Sequence, residues 1–344
     1  MRRQIRRRLV RSALVIGVAA AVMSAVFASG ALSAGDKATQ QRGVHATTAT
    51  KSSTKIAYVC ALPSIAFFGP IVNGAKAAAK QLGIKLSYTG MGPTNVNGPA
   101  EATILKAAIS QKPAGLVVCN FFPSAENGLI KRAVAAGIPV IVANSGAATW
   151  KKDRAVAYLG EDSFQGGQAA ATAMVKAGVK HPMCFDDTPG NPDVAARCAG
   201  FVKGMKKHKI KVEVVNDEQA SSNPSAIASA IKGELASKPI DGILTMGPEQ
   251  GDAASQAVSQ VGKSGKVKLG TFDLSTNILN GIAQKRVLFG IWQEPYLQGY
   301  LPVVMAYQYA KYGFSPVGYV HTGPLLVTKK NVAKVTKAVK AGLG

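Results

Sequence analysis

From Lys55 onward, short apolar runs alternate with Ala- and Lys-rich stretches of helical length, and this alternation restricts the chain more than any other feature. The strand-like runs predicted first are Lys55–Cys60, Lys85–Tyr88, Gly115–Cys119 and Pro139–Ala143, separated by helical stretches at Gly74–Leu82, Ala100–Gln111 and Ala125–Ala136. A second series follows, with strands at Met183–Phe185, Val212–Val215, Gly242–Met246, Val267–Thr271 and Val287–Trp292. Its helices are predicted at Val194–Lys207, Pro224–Ala236 and Gln250–Val261. The runs are continuously apolar rather than alternating, as expected when helices cover both faces of a sheet. Pieces such as "LGIKL" and "AGIPVIVAN" give the punctuation of helix stop, glycine and strand. Two successive series of this kind predict an α/β fold of two doubly wound, Rossmann-like lobes. A chain of 344 residues is long enough for both.

In such sheets a ligand binds beyond the carboxyl ends of the strands. There the sequence places Ser64, Phe67 and Phe68 after the first strand, Asn120, Phe121 and Phe122 after the third, and Asn144 and Ser145 after the fourth. In the second half the corresponding turns are "DDTPGN", "GPEQ", "TFDLS" with Asp273, and "WQEP" with Gln293. Rings suit the CH face of a small solute, and carboxylate and amide groups suit its hydroxyls. Cations are few, which points to a neutral, partly hydroxylated ligand. Taken singly, each residue has a bland reading: Phe beside a turn can be satellite core, and Asp before Leu-Ser can cap a helix.

The termini and charge set the location. "MRRQIRRRLVRS" is a positive n-region, "ALVIGVAAAVMSAVFA" an apolar h-region, and small residues follow, so residues 1–34 read as a secretory signal peptide, with a retained anchor as the alternative. Residues 35–54 are polar and Thr-rich and read as a flexible leader. The mature protein is expected outside the cytoplasm, in the periplasm or its equivalent. The formal charge of +23 suits attraction to anionic polymers or membranes, with a solvated lysine coat as the plain reading. No basic block with interleaved aromatics points to nucleic acid. The four His residues show no metal-ligand spacing, so no metal, cofactor or enzymatic chemistry is expected.

The motifs now converge. From about Lys55 to Val327 the chain resembles a type I periplasmic solute-binding protein of the ribose/galactose group, the extracytoplasmic receptors of ABC importers. The segments that carry this are "IAYVCALPSIAFFGPIVNGAKAAAKQLG", "GIPVIVANSG", "YLGEDSFQGGQAAATAM", "ARCAGFVKGM", "GTFDLSTNILNGIAQ" and "GIWQEPYLQGYLPV". The resemblance implies that Phe67 and Phe68 stack on a sugar ring, that Asp273 binds ligand, and that Gln293 does so beside the hinge. It also implies three crossings between lobes, near Leu159–Glu161, Gln293–Glu294 and His321–Gly323. The lobes would then be 55–159 plus 294–321, and 160–293 plus 322–344. Two departures stand out: Asn144 and Ser145 occupy the place of a common Asp-Arg pair, and Ala195 that of a ligand-binding Arg, with Arg197 in a structural "R-x-x-GF" place. The ligand is therefore expected to be a sugar, polyol, nucleoside or similar solute. The implied partner is a membrane permease, with a signalling receptor as the alternative reading, and the protein is expected to be a monomer.

The four cysteines allow three complete pairings. Export permits disulfides. Cys184 ends a strand and Cys198 lies in the helix that follows; Cys60 and Cys119 end neighbouring strands, where their side chains could still point to opposite faces. Either bridge, both, or buried free thiols are compatible with the sequence.

Overall fold

The computed structural model describes residues 54–186, 190–217 and 223–344; the signal-peptide and leader segments up to residue 53, and residues 187–189 of the "DDTPGN" turn, lie outside these. Two six-stranded sheets organise the described chain. The first contains β1 (Lys55–Ala61), β2 (Lys85–Met91), β3 (Gly115–Val118), β4 (Val140–Ala143), β5 (Ala157–Gly160) and β11 (Gly318–His321), in the order β11-β5-β4-β3-β1-β2. The second contains β6 (Pro182–Asp186), β7 (Glu213–Asn216), β8 (Gly242–Thr245), β9 (Lys268–Phe272), β10 (Phe289–Trp292) and β12 (Leu325–Val327), in the order β12-β10-β9-β8-β6-β7. The two orders match place by place. The pairings are parallel, except that β12 runs antiparallel to β10.

Around these sheets lie α1 (Gly69–Leu82), α2 (Gly98–Ser110), α3 (Pro123–Ala135), α4 (Ser163–Lys176), α5 (Pro192–Lys206), α6 (Pro224–Ser237), α7 (Pro248–Gln260), α8 (Thr276–Ala283), α9 (Pro295–Tyr312) and α10 (Val332–Ala338). The chain passes between sheets three times: after β5, after β10 into α9, which packs on α1 of the first lobe, and between β11 and β12. The two-lobed α/β architecture is thus joined by three strands of hinge.

Local chemistry explains the elements. The central strands β1, β3, β4 and β8 are buried on both faces and carry unbroken apolar runs, whereas the edge strand β7 is only partly buried. Several helices begin with a side-chain cap followed by proline: Asn97 accepts from the Ala100 amide, and Asn191 and Asn223 cap α5 and α6 in the same way. α1 starts at Gly69, five residues earlier than the periodicity predicts, because Pro70 fits its first turn. The sequence pattern leaves α4, α8, α10, β11 and β12 unassigned, as well as β5, only four residues long, and α9, whose periodicity is broken by Pro302.

Two disulfides are present. Cys60–Cys119 ties the end of β1 to the residue after β3, with Cα atoms 4.9 Å apart, and Cys184–Cys198 ties β6 to α5 across 6.0 Å. The second closes a loop with a sequence separation of 14, worth about 3 kcal/mol in the chain-entropy account.

α4 and α5 approach until their backbones touch. A Cβ on Gly167 would meet the Arg197 carbonyl oxygen at 2.1 Å, and one on Gly200 the Phe164 carbonyl oxygen at 2.1 Å. This contact sets the height at which α5 presents Arg197. Gly200→Ala should therefore destabilise the protein by about 1–3 kcal/mol through overpacking. Gly233→Ala, in α6 with nothing within 4 Å, should instead stabilise it by about 0.5–1 kcal/mol. Urea denaturation of the two variants checks the contrast in sign.

Candidate functional site

β4 and β9 occupy the same place in their sheets, and each delivers a polar residue in a left-handed conformation just past its end. Asn144 and Asp273 both have φ of 61°. Asn and Asp are among the few non-glycine residues that visit this region routinely, at a cost on the order of 1–2 kcal/mol. Repeating that cost at equivalent points of two lobes marks the cleft as the place where geometry takes precedence over local stability.

The opposite wall is aromatic. A short 3-10 turn, Ala66–Phe68, connects β1 to α1. Phe67 meets Phe68 edge to face at 5.0 Å, and Phe68 meets Phe121 edge to face at 5.8 Å. The adjacent rings divide the work: Phe68 is buried among first-lobe side chains, whereas Phe67 is half-buried. Both line a cavity of about 190 Å³ together with Asn144, Asp193, Arg197 and Asp273. A neighbouring cavity of about 350 Å³ shares Phe67, Pro248, Glu249 and Asp273 with it. Ser64 is not brought there; it is exposed on the turn ahead of Phe67 and lines neither cavity.

Behind the cavity runs a buried amide network. Gln293 donates from Nε2 to both oxygens of Asp273 at 2.9 Å. Its Oε1 accepts from Gln298 Nε2 at 2.9 Å and from Asn144 Nδ2 at 3.2 Å. Gln298 Oε1 also accepts from Asn144 Nδ2 at 2.8 Å, while its Nε2 reaches Thr322 Oγ1 at 3.0 Å. Gln293 therefore has its side chain committed to holding Asp273 and Asn144 in place. Each oxygen of Asp273 still has a lone pair to offer, as does Asn144 Oδ1.

Arg197, which the sequence reading assigns to a structural place, lines the cavity. Its Nη2 donates to Glu161 Oε2 at 3.0 Å, its Nη1 donates to the Met246 carbonyl at 2.7 Å and lies 3.8 Å from Asp273, and its guanidinium sits 4.3 Å from the Phe272 ring centroid. Asp193 was also missed. From the first turn of α5 its Oδ2 accepts Ser145 Oγ at 2.7 Å and the Gly146 amide at 2.8 Å, a direct bond between lobes. An acid two residues past an Asn cap reads in sequence as helix-start chemistry, and this hides the second role. Gln298 left a fainter signal, a second Gln in "QEPYLQG".

Two lobes, three crossings and one polar-aromatic cleft are the architecture of a solute-binding protein. Residues 56–313 match the periplasmic binding protein domain, and the chain belongs to this family, among the type I binding proteins. A carbohydrate transporter from Acidothermus cellulolyticus 11B, solved with myo-inositol, is 31% identical, with a TM-score of 0.78, over 85% of this chain and 100% of that one. The xylose/arabinose-binding protein XylF of Sulfolobus acidocaldarius is 26% identical over 272 residues; the match covers 74% of this chain and 66% of that protein, just under two thirds of its length. A solute-binding protein from Agrobacterium Radiobacter, solved with D-arabinose, shares the fold at 24% identity and a TM-score of 0.75, over 86% of this chain and 100% of that one.

The buried charges give the site a pH signature. Burial pushes Asp273 up to about 6 although Arg197 and Gln293 oppose it, and pushes Glu161 up to about 7 against the pull of Arg197. Unfolded, both titrate near about 4. Between there and about pH 7 the folded chain binds more protons than the unfolded one, so the contribution of these groups falls as pH rises through that window and is level above it. Glu161→Gln should flatten the slope between about pH 5 and about pH 8. Urea midpoints of wild type and variant at the two pH values measure it; an unchanged slope would assign the effect to other groups.

Proposed function

We propose that the protein is the extracytoplasmic receptor of an ABC importer and that it captures a neutral polyhydroxylated ring, a monosaccharide or cyclitol, by closure of the two lobes. One observation carries the reading. The cavity brings several acceptors and one guanidinium together, with a half-buried ring on one wall. Asp273, Asn144 and the second oxygen of Asp193 can each accept an O–H, while Arg197 gives one Nη2 hydrogen to Glu161 and one Nη1 hydrogen to Met246 and keeps further N–H groups to donate to a hydroxyl. Phe67 is placed to cover the CH face. Carboxylates at Asp193, Glu249 and Asp273 disfavour phosphorylated or acidic sugars. The solved relative that holds myo-inositol, at 31% identity, supports the same class. A membrane permease as partner, a monomeric state and export by the N-terminal segment complete the proposal. A ligand that touches both lobes favours the closed form and shifts its population.

A thermal-shift panel of pentoses, hexoses, myo-inositol and sugar phosphates tests the class, since a ligand at about 100 times its dissociation constant adds about 2.7 kcal/mol. Stabilisation by the phosphates alone, or by no polyol, would overturn it. With the ligand in hand, Phe67→Ala should weaken binding about three- to tenfold with little loss of apo stability, the size of one lost stacking face. Phe68→Ala should cost about 3–5 kcal/mol of stability, as for an emptied buried aromatic site. Calorimetry and denaturation of both variants separate the two roles.

A further inference from the structure

The first lobe distributes its charge unevenly. Residues 55–159 and 294–321 hold twelve Lys and Arg but only four acids, Glu101, Glu126, Asp153 and Glu294. Glu101, Glu126 and Asp153 are fully buried, and Glu294 is half-buried at the second crossing. Burial pushes Glu101 and Glu126 well above the usual carboxylate range, so they do little to offset the cations. The outer surface of this lobe is therefore cationic almost without opposition, and most of the chain's acids lie in residues 160–293.

Apolar side chains are exposed at one end of the same lobe. The end of α9 and the segment leading into β11 expose Tyr312, Phe314 and Val317 at 53%, 65% and 71%. Tyr312 stacks with Phe314 at 5.8 Å, and Lys311 Nζ lies 5.0 Å from the Tyr312 ring centroid. β11 pairs in parallel with β5, with Gly318 opposite Ala157, so the exposed Lys151, Lys152 and Arg154, just ahead of β5, lie beside this segment. Lys55 and Lys85, which open β1 and β2, mark the same end of the sheet. This is the amino end of the parallel strands, opposite the cleft, so the ligand site does not account for it.

We propose that this base of the first lobe is a docking surface for an anionic lipid bilayer. The two rings and Val317 enter the headgroup layer while Lys151, Lys152, Arg154 and Lys311 meet lipid phosphates, the pairing of aromatic and basic side chains that holds proteins at an interface. A water-soluble polyanion would use the cations and leave Phe314 and Val317 exposed, whereas a bilayer accommodates both. Docked by its base, the protein keeps its cleft turned away from the surface and free to load. The inference does not depend on which solute the cleft takes.

Co-sedimentation of the full chain with vesicles of phosphatidylcholine alone, and of phosphatidylcholine with phosphatidylglycerol, tests it at low and high salt. Residues 1–53 carry seven arginines of their own, so the anionic binding that remains when both variant pairs are combined reports what that segment contributes. The expected result is extra binding to the anionic vesicles that is lost at high salt. That extra binding should fall about tenfold in Lys151→Glu/Lys152→Glu and in Phe314→Ser/Val317→Ser, with melting temperature and solute affinity unchanged. Equal binding to both vesicle types, anionic binding that neither variant pair weakens, or retention on heparin without vesicle binding would each overturn the proposal.

Discussion

The hinge and the ligand site depend on one buried amide. Gln298 is fully enclosed, and its side chain touches Asn144 from the first lobe, Gln293 from the second crossing and Thr322 from the third. Its carbonyl accepts the Tyr58 hydroxyl at 2.8 Å, which anchors it to the middle of the first sheet. Where water is excluded, each of these groups costs about 1–3 kcal/mol if left without a partner. The amides therefore orient one another, and the acceptors in the cleft inherit that orientation. The Tyr319 hydroxyl donates to the Glu161 carbonyl, and the Thr322 amide donates to Gly160, so the first and third crossings are joined as well.

The two lobes repeat one plan and fill it differently. Asn144 and Asp273 share a backbone conformation and a topological place, yet one is a neutral amide and the other an acid facing Arg197. The first lobe contributes rings and amides, and the second contributes charge. The proposed ligand between them would meet an apolar surface on one side and strong acceptors on the other, an arrangement that would fix its orientation as well as its position.

Much of this was legible in the sequence because period and punctuation are local properties. Continuous apolar runs and glycine stops located the strands, and strand ends located Phe67, Phe68, Asn144, Asp273 and Gln293. What escaped is long-range. Arg197 lines the cleft because Glu161, far away in sequence, and the Met246 carbonyl draw its guanidinium there, and no spacing rule encodes that. The Gln293 side chain is spent on Asp273 and Asn144 rather than left open, which only three-dimensional bookkeeping of donors and acceptors shows. Ser64 shares a turn with Phe67, but it comes before the 3-10 turn that redirects the chain, and so it stays outside. For the cysteines, sequence left several pairings open; side-chain direction across β1, β3, β6 and α5 decides them.

The bond from Asp193 to Ser145 and Gly146 is a latch between the lobes. It runs from lobe to lobe with no solute atom in its path, so it weighs toward the shut form whether or not a ligand is bound. Affinity then depends on how often the empty form stays open, because a cleft that idles closed admits nothing. A partner that recognised the shut shape alone would be engaged by empty receptors. The strength of this one carboxylate latch therefore sets a trade between fast capture, which needs an open cleft, and tight retention, which needs a closed one.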